Sequence, residues 1–160
     1  MHPRTEELLR HLDTQHERLR AAVDSIPRPR RDVKPSPDRW SVAEVLEHLS
    51  IVETRIERVF SKRLAEARVA GLGPERASSP VVGTIDMDRL LDRTRRITAT
   101  EAALPTGKLD ADGLALSDVS HPHPVLGPIN LYQWIAFVGG HEARHAAQVI
   151  ELKELLEGPC

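Results

Sequence analysis

The chain has 160 residues, 29% of them charged and 40% apolar, with a formal net charge of -2. That balance fits one globular domain with a sizeable core, and it excludes a general electrostatic pull toward nucleic acid or anionic membrane. Cys160, the last residue, is the only cysteine, so no internal disulfide is possible and a reducing compartment is expected. The first thirty residues are charged throughout and no stretch approaches a membrane span, which predicts a cytoplasmic protein without a signal peptide.

The first predicted helix covers about 3–25, with Leu8, Leu12, Leu19 and Val23 on its buried face and Pro3 in its first turn. His16 falls on the same stripe, either reaching a central site or standing at its boundary, whereas His2 and His11 are expected to be exposed. Pro27, Pro29, Pro35 and Pro37 then forbid further helix. The basic cluster Arg28, Arg30, Arg31 and Lys34 lies among these prolines without aromatic partners, so it reads as a solvated linker rather than a nucleic-acid patch.

A second helix is predicted over 41–67. Ser41 and Glu44 form a capping box, Trp40 precedes them as a possible staple, and Val45, Leu49, Val52, Ile56 and Val59 give the apolar stripe. His48 flanks that stripe. Glu44 lies one turn before it and is read as a cap, with an orienting or general-base role toward the imidazole as the alternative. Residues 70–83 are a Gly/Pro/Ser connection. A third helix is predicted over 86–104 with Met87, Leu90, Leu91, Thr94 and Ile97 inward, and Glu101 packed or solvent-exposed near its end.

Residues 105–128 lack periodicity and are expected to be an irregular loop, with Leu109, Leu114, Leu116 and Val119 in a short piece covering the helices. The run His121-Pro122-His123-Pro124 lies here, and either histidine is a candidate pocket wall. No convincing alternating strand is read anywhere in the chain.

The last helix is predicted over 130–156. Trp134, Val138, His141, His145, Val149, Leu152 and Leu156 recur at spacings of three and four, which places both histidines on the core stripe one turn apart. Two imidazoles so placed can close on one cation, and His48 supplies a third donor from another helix. A buried pair satisfied by hydrogen bonds alone is the structural alternative. Gly139 and Gly140 precede His141. Each costs a helix interior about 1 kcal/mol relative to alanine, so they are expected to leave room in a pocket or permit a kink.

Four helical segments with apolar stripes must bury them on one another, which predicts an all-α bundle in a single domain over 1–160. Three stretches then carry a resemblance. The segment from Trp40 through Ser41, Glu44 and His48 to Leu49 resembles the second-helix signature of the DinB-like superfamily. His123-Pro124-Val125-Leu126-Gly127-Pro128 resembles its loop before the last helix, and Trp134 through His141-Glu142-Ala143-Arg144-His145 to Gln148 resembles its closing helix.

The resemblance implies a four-helix bundle with a long crossover between the second and third helices, and a homodimer. It also implies a divalent metal, zinc or nickel, on a histidine triad that matches His48, His141 and His145. Relatives of this kind include S-transferases and isomerases that use low-molecular-weight thiols as cosubstrates, and others classed as metal-dependent hydrolases. Arg144 and Gln148 match the closing motif, where packing, dimerisation or support of the ligands is implied.

Three functional readings follow. The first is a metal-dependent enzyme activating water or a small thiol for a small-molecule substrate. The second takes His141 to His145 as a literal H-E-x-x-H peptidase motif with Glu142 as general base, although only fifteen residues follow His145, where Glu151 is available as a third ligand but the glycine and histidine of the extended motif are absent; Glu142 otherwise faces solvent or a partner helix. The third is a non-catalytic homodimer with a structural metal, which a fourth ligand such as His16 or His123 would favour.

Overall fold

The structure, a computed structural model, describes residues 1–87 and 111–158. Helix α1 spans Pro3–Asp24, α2 spans Val42–Val69 and α3 spans Leu131–Glu157; a two-stranded hairpin, β1 (Ser120–His123) and β2 (Gly127–Asn130), leads into α3. The protein is mostly helical, with three helices among the described residues. The predicted helix over 86–104, and Glu101 with it, lies almost wholly outside them.

Each helix begins where its sequence supplies a partner for the free amides of the first turn. The His2 side chain accepts from the Arg4 amide ahead of α1, with Pro3 at the first helical position. Ser41 and Glu44 form a reciprocal capping box at α2. Asn130 and Gln133 do the same at α3.

Helix α3 is the centre of the packing and lies against both α1 and α2. One apolar cluster gathers Leu8, Ile56, Leu116, Tyr132, Ile135 and Phe137; a second gathers Leu19, Val23, Val45, Leu49, Val149 and Leu152. Along α1 and α3 the first cluster precedes the second, and along α2 the order is reversed, so α2 runs opposite to the other two. Between the clusters lies a polar layer: His11, Gln15 and His16 from α1, His48 and Glu53 from α2, and Gly139 to His145 from α3.

The hairpin corrects the expectation of an irregular loop. Ser120 pairs with Asn130, His121 with Ile129, Pro122 with Pro128 and His123 with Gly127. Two prolines in a pair of four-residue strands conceal the usual signal, since proline withholds a ladder donor and reads as a breaker. Here they face each other in a ribbon with no further strand to satisfy among the described residues. The turn over 124–126 ends at Gly127 with φ +77°, a conformation that favours glycine. Nearby, Leu116 is fully buried in a short 3-10 turn, which fits the expected covering piece.

The connection after α2 is pinned to α1. Glu7 accepts the amides of Val81 and Val82, Arg4 hydrogen-bonds Ser79, and Glu75 pairs with Arg4 and accepts from Ser117. Among the described residues no helix is long and apolar enough to cross a membrane.

Candidate metal centre

The three histidines predicted to share a site do meet in the polar layer. His48, His141 and His145 are 5%, 6% and 4% exposed, and one ring nitrogen from each lies within 4.8 Å of the others. The Nε2 of His141 is 3.1 Å from that of His145 and 3.4 Å from that of His48. A tetrahedral zinc with bonds of about 2.0–2.1 Å would set nitrogen–nitrogen edges of about 3.3–3.4 Å. The spacing therefore suits imidazoles around one small ion.

The surrounding groups fix the rings. His145 Nδ1 lies 2.7 Å from Gln148 Oε1, so Nδ1 donates and Nε2 keeps its lone pair for the centre. The His141 ring stacks on Phe137 with centroids 5.4 Å apart and planes 16° apart. Trp40, just ahead of the α2 cap, lies against His48 at 5.1 Å. His141 Nδ1 is buried without a hydrogen-bond partner among the described residues.

Electrostatics keep the rings neutral. Burial pushes His141 down to about 2, reinforced by His145 and His48, and pushes His145 down to about 4. His48 is lowered too, by burial and then by the Arg144 charge. Neutral imidazoles are the form a metal ion requires. The crowded Nε2 atoms and the neutral rings make this a group that can hold a divalent cation.

The other predicted site residues lie elsewhere. Glu44 caps α2: one oxygen accepts from the Ser41 amide at 2.8 Å and the other lies 2.6 Å from Lys34 Nζ. The Lys34 bond and then the Ser41 amide hold its carboxyl below the ordinary range, which suits a cap and not a base. Glu142 is buried and points to α1, where its Oε1 meets His16 Nδ1 at 3.2 Å. The peptidase reading needs this carboxylate free to serve as base, and His16 already engages it.

His16 is therefore a partner of Glu142 and no member of the triad. His11, expected to be exposed, is half-buried: a Cβ on Gly139 would come within 2.5 Å of its ring. A Cβ on Gly140 would come as close to the Met87 methyl. The two glycines thus let neighbours approach α3. His123 is buried against Phe137 and Trp134 with ring centroids 4.6 and 5.0 Å away, and Trp134 donates to the His121 carbonyl.

Sequence reasoning missed Glu53. It is 4% exposed, its Oε1 has no partner among the described residues, and burial, reinforced by Glu142, pushes its carboxyl up to about 8. Its position beside the apolar stripe of α2, one turn after Leu49, was the available signal. The cap Asn130–Gln133 was also legible as an N-x-x-Q pattern.

The chain is similar to a protein of Bacillus subtilis (strain 168) described as "Uncharacterized protein YuaE", 29% identical over 143 residues, which cover 78% of this chain and 83% of the relative. No solved structure gives a significant match. The model of the DinB superfamily matches residues 11–149, a span that holds all three histidines, and the chain belongs to that superfamily.

Proposed function

We propose that the protein is a metal-dependent enzyme in which His48, His141 and His145 hold a divalent ion, zinc or nickel, and that it activates water or a low-molecular-weight thiol. Its activity is then that of a hydrolase or a thiol S-transferase on a small molecule. A fourth helix over 86–104 completes a DinB-like four-helix bundle, and the protein works in the cytoplasm as a homodimer.

The observation that carries this reading is the approach of three neutral, buried Nε2 atoms from two helices to 3.1 and 3.4 Å. Among the described residues no further histidine, cysteine or carboxylate joins the group. Three protein ligands are the pattern of a catalytic ion, since structural zinc sites usually have four. The ion would supply Lewis acidity, making water or a thiol nucleophilic near neutral pH. The chain's own contribution is to orient the rings through Gln148 and Phe137 and to keep them unprotonated by burial. With no cysteine before Cys160, a thiol must arrive as a separate molecule.

The test is metal analysis after loading with zinc and with nickel, followed by turnover assays with cellular thiols against a panel of electrophiles and with ester and amide substrates. One equivalent of metal in the wild type and much less in His145→Ala is the expected result. Metal-free protein after both loadings would overturn the reading. Metal without any turnover would leave a binding protein.

A further inference from the structure

No residue of the His-Pro-His-Pro run is among the ligands of the proposed site, yet the fold holds His123 with care. It closes β1, its ring lies against Phe137 and Trp134, and Phe137 in turn stacks on His141. The ring is therefore one aromatic layer from the triad. A charge on His123 would be felt at His141, which agrees with that closeness.

Its two nitrogens have different fates. Nδ1 accepts the amides of Val125 and Leu126, each at 3.1 Å. Two N–H groups directed at one ring nitrogen require a lone pair there, so the neutral ring carries its proton on Nε2. Burial lowers the tendency of this ring to take a second proton. No described residue accepts from Nε2–H. Nor is Nε2 among the polar atoms sealed from solvent without a partner, which are Thr5 Oγ1, Glu53 Oε1, Arg63 Nε and His141 Nδ1. A fixed donor on a largely buried ring, with no acceptor among the described residues, is placed to meet one on a bound molecule.

We propose that His123 is a specificity-determining residue whose Nε2–H donates to a carbonyl or carboxylate oxygen of the small molecule held at the three-histidine centre. The inference rests on the metal-site reading above and narrows it: the ligand carries an oxygen acceptor beyond the atom that meets the ion. The turn amides fix the ring on one edge so that the opposite edge can read the ligand.

Two substitutions separate this role from a purely structural one. His123→Asn keeps an acceptor near Nδ1 for the turn amides and deletes the Nε2 donor. His123→Gln keeps a donor near Nε2 and deletes the cap. Each protein is loaded with cobalt(II) and titrated with acetate and with succinate, with binding read from the visible spectrum and folding from the melting temperature. Succinate is expected to bind the wild type, to bind His123→Asn about tenfold more weakly at an unchanged melting temperature, and to bind His123→Gln within a few-fold of wild type.

Equal affinity in wild type and His123→Asn, affinity that simply follows melting temperature, or no carboxylate binding to cobalt-loaded wild type would each overturn the proposal. Failure of cobalt, zinc and nickel to load would instead overturn the metal site beneath it. Should His123→Asn not fold, the histidine nitrogen resonances of zinc-loaded wild type decide. Succinate must shift the protonated Nε2 of His123, and an unmoved resonance defeats the idea.

Discussion

Gln148 holds His145 in one tautomer. The amide oxygen sits 2.7 Å from Nδ1, one helical turn beyond the ring it serves, and leaves Nε2 as a lone-pair donor. Replacing Gln148 by Leu frees the ring to rotate and to exchange tautomers. Zinc affinity is expected to fall about 10–100-fold, read by competition with a chromophoric chelator. Unchanged affinity would mean that packing alone orients the ring.

Metal should stabilise the fold as well as occupy it. At free zinc a hundred times its dissociation constant, linkage predicts a gain of about 2.7 kcal/mol. The gain should disappear in His48→Ala and in His145→Ala, which remove donors from different helices. Thermal melts with zinc and with chelator test this. An equal zinc shift in all three proteins would place the binding elsewhere.

Acid should loosen the metal-free protein. His145 is held down to about 4 and His141 to about 2, against 6.5 for a free ring. The unfolded chain therefore takes up protons that the folded chain refuses. Stability from the neutral rings is complete above about pH 6.5 and is lost as pH falls, by up to about 1.4 kcal/mol per pH unit for each ring. Urea melts between pH 7.5 and 5 should show the decline, and zinc affinity should fall with it.

Glu53 acts with the opposite sign. Its carboxyl is raised to about 8 from 4.5, so the folded state keeps a proton that the unfolded state releases. Its contribution is complete below about pH 4.5 and is lost as pH rises toward 8. Glu53→Gln is expected to leave stability near pH 4.5 unchanged and to raise it at pH 8 by a few kcal/mol, on the order set by that shift. Equal effects at the two pH values would contradict the burial argument.

The two glycines of α3 should respond differently to alanine. At Gly139 the new methyl meets the His11 ring on α1, and overpacking of this kind costs about 1–3 kcal/mol. At Gly140 it meets the flexible end of Met87, which can swing aside, so the helix gain of about 1 kcal/mol should largely survive. Denaturant melts of Gly139→Ala and Gly140→Ala test the contrast.

Much of this was legible before the fold. The i, i+4 spacing of His141 and His145 on an apolar stripe gave two donors, and His48, flanking the stripe of another helix, was the third candidate that the family resemblance matched. The three described helices fall within a few residues of their predicted limits, because Pro3, Ser41 and Glu44 mark starts by local chemistry. The hairpin was not legible, since Pro122 and Pro128 read as breakers and their mutual pairing is a long-range fact. Glu53 and the His16–Glu142 contact were missed for a related reason. Whether a carboxyl beside a stripe is exposed depends on which helix covers it, and periodicity describes one helix at a time.

Asn130 belongs to two elements at once, pairing with Ser120 in the hairpin and capping α3. The strand register and the rotational phase of the last helix are therefore a single setting. One residue inserted between Asn130 and His141 would turn both imidazoles about 100° around the axis, away from His48. The same residue added to the turn at 124–126 would leave the phase intact. Length variation in this lineage should gather at the hairpin tip and be scarce over the ten residues that separate cap from ligand.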